Sequence, residues 1–290
     1  MNKRLAVITL GWHYPEYFYK QLIVQKVPDG WDIDFFCISH RDPENAVNEK
    51  ILSNNDSVFS KLDNYFYSST ISVDTLESLG WKYIVKPNIY GDWSQFNQWV
   101  DDYDYKDYDV CMVSGDDNLF ITNTLFYDLL GNNAKTIIDN GKVNGKHTPK
   151  EVDYDYDDWW VISNSIHWGR GVIRGSMEFV KREMFDVLGG RFDLESYNPK
   201  NRLDQTDSPT KYNSLDAIGW NKQVYPFMIT LEENNLYNKM RFLSPDYRVS
   251  DYCIEGERGL FVNNNCKPYA HYYSNRVNRL LEQGKLDKFI

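Results

Sequence analysis

Two adjacent carboxylates and an amide, Asp116, Asp117 and Asn118, follow an apolar run at residues 110–113 after Ser114 and Gly115. Two carboxylates this close repel each other unless a cation or a shared proton relieves the repulsion. Oxygen ligands of this kind suit a hard divalent cation, which can also hold phosphate oxygens. The same residues form good turns, because Asx side chains bond their own backbone. The stretch therefore predicts either a metal-assisted phosphate site or a polar turn.

A parallel sheet would place this acidic turn at a ligand-binding edge, since ligands of open α/β sheets bind beyond the carboxyl ends of the strands. The apolar runs and their punctuation predict strands at residues 5–10, 31–38, 82–86 and 110–113, with helices at 15–26, 71–79 and 95–103 between them. Strands alternating with helices are typical of an α/β fold. We therefore expect residues 1–130 to form a nucleotide-binding half with a mostly parallel central sheet.

The second half, residues 131–290, is more varied, and we expect it to complete one domain rather than to form another. The patterns predict a helix at 123–131, a loop or hairpin at 139–158, strands within 159–173, a helix at 177–188, a polar loop at 191–215, a helix at 216–224, a strand at 228–231, irregular chain at 243–251 and a C-terminal helix at 275–283. No internal repeat is visible in the sequence.

The composition excludes some classes of function. The 290 residues carry a formal net charge of -10, whereas a nucleic-acid-binding protein needs a basic face to neutralise phosphates. The 22 Tyr, 15 Phe and 9 Trp supply apolar faces with polar handles, which suit stacking on sugar rings or bases. Tyr-rich cores are an equally good explanation of these counts. A small molecule or another protein is the expected partner.

The cysteines and the N-terminus indicate the compartment. The four cysteines show no CxxC spacing, which predicts neither a zinc site nor a redox motif and fits a reducing compartment. The apolar run near the N-terminus has about six residues and is too short for a signal peptide or a membrane span. We expect a cytoplasmic protein without a transmembrane segment, with peripheral membrane contact left open.

Four features, taken in order, resemble glycosyltransferases of the GT-A fold. The run Asp116-Asp117-Asn118-Leu119-Phe120 is similar to their Asp-x-Asp motif with Asn in its third place, and Gly189-Gly190-Arg191-Phe192-Asp193 is similar to their Gly-Gly-Phe-Asp/Glu turn. Asp216 falls roughly where that family keeps an acidic residue that acts as the catalytic base. His271 resembles the metal-binding His that the family has near the end of the chain. The resemblance implies a Rossmann-like nucleotide-sugar-binding half fused to an acceptor-binding half.

The resemblance also implies a set of site residues. A Mn²⁺ or Mg²⁺ ion would stabilise the nucleoside diphosphate leaving group, and Asp216 would accept the proton of the acceptor hydroxyl. The implied metal ligands are Asp116, Asp117, Asn118 and His271, and the implied donor-binding residues are Thr9, Gly11, Trp12, His40, Asp42, Trp93, Gln95, Asn97 and Asp116. An amide at position 118 brings no charge, which lowers the expected metal affinity.

Three of the motif residues also have a structural explanation, and two other functions are compatible with the sequence. Asp216 also suits the N-cap of its helix, His271 a structural position, and Gly189-Gly190 a helix C-cap. The expected activity is sugar transfer from a nucleotide-sugar donor to a glycan or other hydroxyl acceptor. A sugar nucleotidyltransferase is one alternative, although the turn at residues 11–16 lacks the basic side chains that would cradle a triphosphate. A non-catalytic carbohydrate-binding protein is the other.

Overall fold

The structure of the protein is a computed structural model that describes part of the chain. The described residues are 2–11, 14–40, 70–87, 94–116, 118–120, 122–132, 134, 136–143, 146–152, 155–163, 166–167, 172–173, 177–192, 234–243 and 248–250. Within these residues, no helix is long and apolar enough to cross a membrane.

Thirteen strands are present in the described residues, and nine of them form one sheet in the order β3-β2-β1-β4-β11-β8-β12-β6-β7. Two pairs, β9 with β10 and β5 with β13, stand apart. The strands are β1 (Lys3–Gly11), β2 (Trp31–Ser39), β3 (Trp81–Val85), β4 (Val110–Gly115), β5 (Asn118–Phe120), β6 (Thr136–Val143), β7 (Lys146–Val152), β8 (Val161–Ser163), β9 (Ile166–His167), β10 (Val172–Ile173), β11 (Met177–Lys181), β12 (Met240–Leu243) and β13 (Arg248–Ser250).

The sheet is mostly parallel, and it joins the two halves of the chain. Strands β3, β2, β1 and β4 run in the same direction, so their carboxyl ends lie at one edge. Strand β11 is antiparallel to both β4 and β8, and β6 is antiparallel to both β12 and β7. Only β11 and β6 therefore oppose the other strands of the described sheet. The prediction of an α/β fold with a mostly parallel sheet is confirmed.

Helices pack on both faces of the sheet. Alternate strand residues point to opposite sides, so each face has its own hydrophobic core. The described α-helices are α1 (Glu16–Ile23), α2 (Val73–Ser78), α3 (Ser94–Val100), α4 (Leu125–Leu130) and α5 (Arg182–Val187). Helices α1, α2 and α4 pack in one core with Leu5, Val7 and Met112, and we call this side the α1 face. Helices α3 and α5 pack in another core with Ala6 and Ile8, and we call this side the α3 face.

The helix predicted at 177–188 is wrong in its first part. Residues Met177–Lys181 form β11, all five of them are buried, and the helix begins only at Arg182. The segment pairs on both edges, with β4 on one side and β8 on the other. Strand propensity depends on such packing more than on the backbone itself, and here the sheet overrides a helix-compatible sequence.

Other expectations fared differently. The four predicted parallel strands are present with small changes at their ends, and residues 139–158 contain the predicted hairpin as β6 and β7. Residues 243–251 are not wholly irregular, because Arg248–Ser250 pairs with β5 as β13. Helix α1 ends at Ile23, earlier than residue 26. The elements predicted at 216–224, 228–231 and 275–283 lie outside the described residues.

Candidate functional site

The carboxyl edge of the parallel strands is the candidate site. Gly11 of β1 lies opposite Ser39 of β2, and Leu10 lies opposite Gly115 of β4, so these three strands end at the same level. The side chains around these ends divide between the two faces of the sheet. Asp116 contacts residues of the α1 face, and His40 contacts a residue of helix α3.

Asp116 is turned into the protein interior on the α1 face. The residue is 2% exposed, and its Oδ2 atom accepts hydrogen bonds from the Tyr14 backbone N–H at 2.7 Å and from the Tyr19 hydroxyl at 3.3 Å. Tyr14 has a positive φ of 53°, which is uncommon for a residue with a side chain. The carboxylate therefore fixes the turn between β1 and α1, whose backbone would otherwise leave a buried N–H without an acceptor.

Tyr14 links this turn to β2 and β3. Its hydroxyl lies 2.5 Å from the Ser39 Oγ atom, which also accepts a hydrogen bond from the Tyr83 hydroxyl at 2.9 Å. Burial raises the pKa of the Tyr14 and Tyr19 hydroxyls and raises the pKa of the Cys37 thiol to about 12. These groups are therefore neutral at physiological pH and serve as hydrogen-bonding partners rather than as nucleophiles.

Thr9 and Gly11, two residues predicted to bind the donor, belong to this packed region. The Thr9 hydroxyl donates to the Phe36 carbonyl at 3.3 Å. Gly11 lies under the Tyr14 side chain, and a Cβ atom added to it would be 2.5 Å from the Tyr14 hydroxyl oxygen and 2.8 Å from the Cys37 sulfur. Glycine is thus required at position 11 by the close approach of the Tyr14 side chain.

His40 lies on the α3 face with a defined tautomer. The Gln98 side-chain Nε2 donates to the Pro87 carbonyl at 2.7 Å, so its Oε1 atom faces the His40 Nε2 atom and accepts a hydrogen bond from the N–H there. Burial lowers the pKa of His40, and the bond to Gln98 opposes that effect only in part. His40 is therefore neutral at physiological pH, with its proton on Nε2 and a lone pair on Nδ1.

Two hydrogen-bond acceptors on the α3 face have no partner among the described residues, and neither has the Trp99 Nε1 donor on the same helix. The Gln95 side chain is fully buried, and its Nε2 donates to the Ser114 carbonyl at 3.4 Å. The remaining Gln95 Oε1 atom and the His40 Nδ1 atom are buried, and neither has a hydrogen-bond partner within the part of the chain that the structure describes. Buried acceptors without partners are rare in folded proteins, so both atoms need an explanation.

Asn97 joins helix α3 to the Gly-Gly-Arg-Phe turn of the second half. Its Nδ2 donates to the Phe192 carbonyl at 2.8 Å, and its Oδ1 accepts from the Phe192 N–H at 2.9 Å. The Phe96 and Phe185 rings stack at 4.1 Å beneath this turn. Asn97, predicted to face the donor, contacts this turn.

The two glycines of that turn follow the C-cap residue Leu188 and end helix α5, as the structural alternative for Gly189-Gly190 predicted. Gly189 has a φ of 73°, and its N–H donates to the Asp186 carbonyl. The Gly190 N–H donates to the Phe185 carbonyl at 2.7 Å, which completes a Schellman motif. This cap directs residues 191 and 192 back onto helix α3.

The other predicted site residues are not placed by the described structure. The backbone of Asn118 belongs to β5 and pairs with Ser250 of β13, and its side chain is outside the described part. Trp12, Asp42, Trp93, Asp117, Asp216 and His271 all lie outside the described residues. Within the described residues, no group of three or more His, Cys, Asp or Glu side chains could hold a metal ion.

Sequence reasoning named Gln95 as a donor-binding residue but missed Gln98 and Glu178. Gln95 and Gln98 are three residues apart on a helix, a spacing that places them on one face and could have indicated Gln98. Glu178 escaped notice because residues 177–188 were assigned to a helix. It is a buried carboxylate in β11 that accepts a hydrogen bond from the Ser163 hydroxyl at 3.2 Å.

Comparisons with known proteins identify no family. No protein-family model matches the chain, and no curated protein matches it either. The similar solved structures include a mannosyltransferase of Pyrobaculum calidifontis in complex with GDP-Man and Mn²⁺ (13% identity, TM-score 0.34, 66% of this chain and 48% of that one). They also include the glycosyltransferase GlyE of Streptococcus pneumoniae (10% identity, TM-score 0.39, 84% of this chain and 46% of that one). An apo UDP-glucose pyrophosphorylase is similar as well (9% identity, TM-score 0.38, 98% of this chain and 99% of that one).

The chain spans about half the length of the first two of these structures. All three TM-scores are below 0.4, which is too low to establish a shared fold or a shared activity. The fold class therefore rests on the strand order and directions of this chain alone.

Proposed function

We propose that this protein is a glycosyltransferase of the GT-A type, formed as one domain over residues 1–290. It would transfer a sugar from a nucleotide-sugar donor to a glycan or other hydroxyl acceptor. One observation carries the proposal: a buried parallel strand, β4, ends in an acidic turn at the edge where β1 and β2 also end. Ligands of open α/β sheets bind at this edge.

The antiparallel strand β11 supports the assignment of the second half to the acceptor. It lies next to β4 and leads through α5 into the Gly-Gly-Arg-Phe turn, which Asn97 ties to helix α3. The sheet and this turn hold residues 177–192 against the first half, and the proposal assigns acceptor binding to the second half. In the proposal, Asp216 accepts the proton of the acceptor hydroxyl, and Trp12, Asp42 and Trp93 contact the donor.

Asp116 does not fit the role of metal ligand through its Oδ2 atom. That oxygen already accepts two hydrogen bonds inside the protein, and the residue is almost fully buried. A ligating carboxylate must turn its oxygens towards the cation. We therefore assign Asp116 to positioning the turn. The proposal leaves a Mn²⁺ or Mg²⁺ ion to Asp117, Asn118 and His271, and no catalytic step here depends on that ion.

The test is a thermal-shift panel with UDP, GDP, CDP and dTDP, each with and without Mn²⁺. A nucleotide at a hundred times its dissociation constant stabilises the folded state by about 2.7 kcal/mol. A shift with one nucleotide that grows with Mn²⁺ would support a metal-assisted donor site. An increase in melting temperature that does not depend on Mn²⁺ would support a transferase that works without a metal. The absence of any increase with all four nucleotides would contradict the proposal.

Turnover separates the transferase from its two alternatives. A transferase releases a nucleoside diphosphate from a nucleotide sugar when an acceptor is supplied. A sugar nucleotidyltransferase would instead release pyrophosphate from a nucleoside triphosphate and a sugar phosphate. A carbohydrate-binding protein would bind glycans without any response to nucleotide.

A further inference from the structure

Helix α1 is bonded to the chain on both sides of the acidic turn. Before the turn, the Asp116 Oδ2 atom accepts a hydrogen bond from the Tyr19 hydroxyl of α1 at 3.3 Å. After the turn, the Gln21 side chain of the same helix is bonded to the backbone of Phe120. Residues 117–119 are the only ones between these two attachment points. A single helix therefore sets the distance between the two ends of the turn.

The Gln21 amide takes the place of a neighbouring strand beside Phe120. Its Oε1 atom accepts a hydrogen bond from the Phe120 N–H at 3.2 Å, and its Nε2 atom donates to the Phe120 carbonyl at 3.0 Å. In an antiparallel sheet, a hydrogen-bonded pair of residues exchanges the same two bonds. Gln21 makes both with one side chain. The residue is 3% exposed, so water does not compete for these bonds.

Strand β5 is held from two sides as a result. Of the described strands, only β13 pairs with β5, which has three residues. Leu119 lies opposite Val249 of β13, and its N–H and C=O point away from Gln21 because successive strand residues alternate in direction. A pair of strands this short is marginal by itself. The bonds from Gln21 supply the second neighbour that fixes β5 at the end of the turn.

Gln25 makes the same kind of contact farther from the turn. It follows Gln21 by four residues, and it is also buried. Its Nε2 atom donates to the Thr122 carbonyl at 2.9 Å, and its Oε1 atom accepts from the Leu125 N–H at 3.0 Å. These bonds hold the start of helix α4. Comparing the two glutamines therefore separates a general contribution to folding from a contribution to the turn.

We propose that Gln21 is a positioning residue of the donor site, which holds the acidic turn in the geometry that nucleotide binding requires. This inference rests on the proposed function, in which the acidic turn belongs to the donor site. Gln21 contacts no nucleotide atom in this proposal and acts through the Phe120 backbone. Binding groups must be kept within about 0.5 Å of their productive positions by the residues behind them. A turn released at Phe120 loses that support at one end.

Two matched variants test this role. Gln21→Met and Gln25→Met each keep the length of the side chain and remove two hydrogen bonds to buried backbone, so both should lower the melting temperature. Isothermal titration calorimetry then uses whichever of UDP, GDP, CDP and dTDP stabilises the wild type most, with and without Mn²⁺, at a temperature where all three proteins are folded. We expect Gln21→Met to raise the dissociation constant about tenfold, a typical effect of removing support behind binding groups, and Gln25→Met to leave it unchanged. Equal dissociation constants for the two variants would overturn the inference.

Gln21→Glu adds a pH-dependent test of the same two bonds. A protonated carboxyl group can donate to the Phe120 carbonyl and accept from its N–H, as the amide does, whereas the ionised carboxylate can only accept. Burial raises the pKa of such a group, which favours the protonated form. The ratio of the variant dissociation constant to the wild-type value should therefore fall towards one between pH 8 and pH 5. A ratio that stays above one and does not change with pH would contradict the role of these bonds.

The outcomes also separate this inference from the proposed function. Nucleotide binding by the wild type that is unchanged in Gln21→Met would leave the transferase standing and make Gln21 purely structural. Absence of nucleotide binding by the wild type would contradict both.

Discussion

The two faces of the sheet differ at the edge where β1, β2 and β4 end. On the α1 face, the polar groups around Asp116 bond to one another: the carboxylate takes the Tyr14 N–H and the Tyr19 hydroxyl, and Ser39 joins Tyr14 to Tyr83. On the α3 face, Gln95 and His40 each keep one unused acceptor. The buried carboxylate on the α1 face is thus used for folding. The two acceptors on the α3 face have no hydrogen-bond partner among the described residues, as is also true of the Trp81 Nε1 atom on the α1 face.

This difference changes the reading of the acidic turn. The sequence places two carboxylates together, and a shared metal is the simplest way to relieve their repulsion. The structure relieves Asp116 in another way, by burying it against the Tyr14 N–H that follows β1 and the Tyr19 hydroxyl of α1. A carboxylate that accepts hydrogen bonds from the protein in this manner stabilises the fold.

The largest expected effect comes from removing Asp116. Asp116→Ala leaves the buried Tyr14 N–H and Tyr19 hydroxyl without an acceptor, and each such loss costs about 1 to 3 kcal/mol. We expect the free energy of unfolding to fall by about 3 kcal/mol, measured by urea denaturation. Asp116→Asn retains an acceptor oxygen and should lose much less. An Asp116→Ala protein as stable as the wild type would show that this carboxylate is not structural.

Position 11 tests how tightly the α1 face is packed. Gly11→Ala places a Cβ within 2.8 Å of both the Tyr14 ring and the Cys37 sulfur, and such overpacking typically costs about 1 to 3 kcal/mol. Urea denaturation should show a loss of about 2 kcal/mol for Gly11→Ala. A loss close to zero would mean that the Tyr14 side chain moves aside easily.

The sequence predicts the fold better than it predicts the site. The first four parallel strands are visible as apolar runs, and Pro15 and Gly80 mark the ends of their helices correctly. Strand β11 is missed because its residues also suit a helix, and only pairing with β4 and β8 decides between the two. Local pattern carries no information about such long-range pairing.

The orientation of Asp116 shows the same limit at the level of one side chain. Its position after a strand is readable from the sequence. The groups that cover it are not, because Tyr14 and Tyr19 lie about a hundred residues earlier in the chain. The unused acceptors of Gln95 and His40 cannot be predicted from the sequence either. They follow from the orientations of the Gln95 and Gln98 amide groups, whose Nε2 atoms donate to the Ser114 and Pro87 carbonyls.

Asn97 tests whether the α3 face is held to the second half by its two bonds to Phe192. Asn97→Ala removes both and should lower the free energy of unfolding by about 1 to 2 kcal/mol. Asn97→Asp keeps the acceptor for the Phe192 N–H and loses the donor to the Phe192 carbonyl, so it should lose less. If Asn97 serves only to hold the turn, nucleotide binding should stay the same in both variants. Weaker nucleotide binding in either variant would support the predicted contact of Asn97 with the donor.

The smallest effect is the pH dependence that His40 contributes. Burial lowers its pKa in the folded state, so between that value and the ordinary value near 6.5 the unfolded chain binds more protons than the folded protein does. His40 therefore contributes stability that is fully present above about pH 6.5 and is lost as pH falls through the folded pKa.

His40→Gln removes the titrating group, so comparing the unfolding free energies of the two proteins between pH 8 and pH 5 isolates its contribution. The wild type should lose more stability than the variant over this range. Identical pH profiles for both proteins would mean that the imidazole of His40 is hydrated in solution and that burial does not lower its pKa.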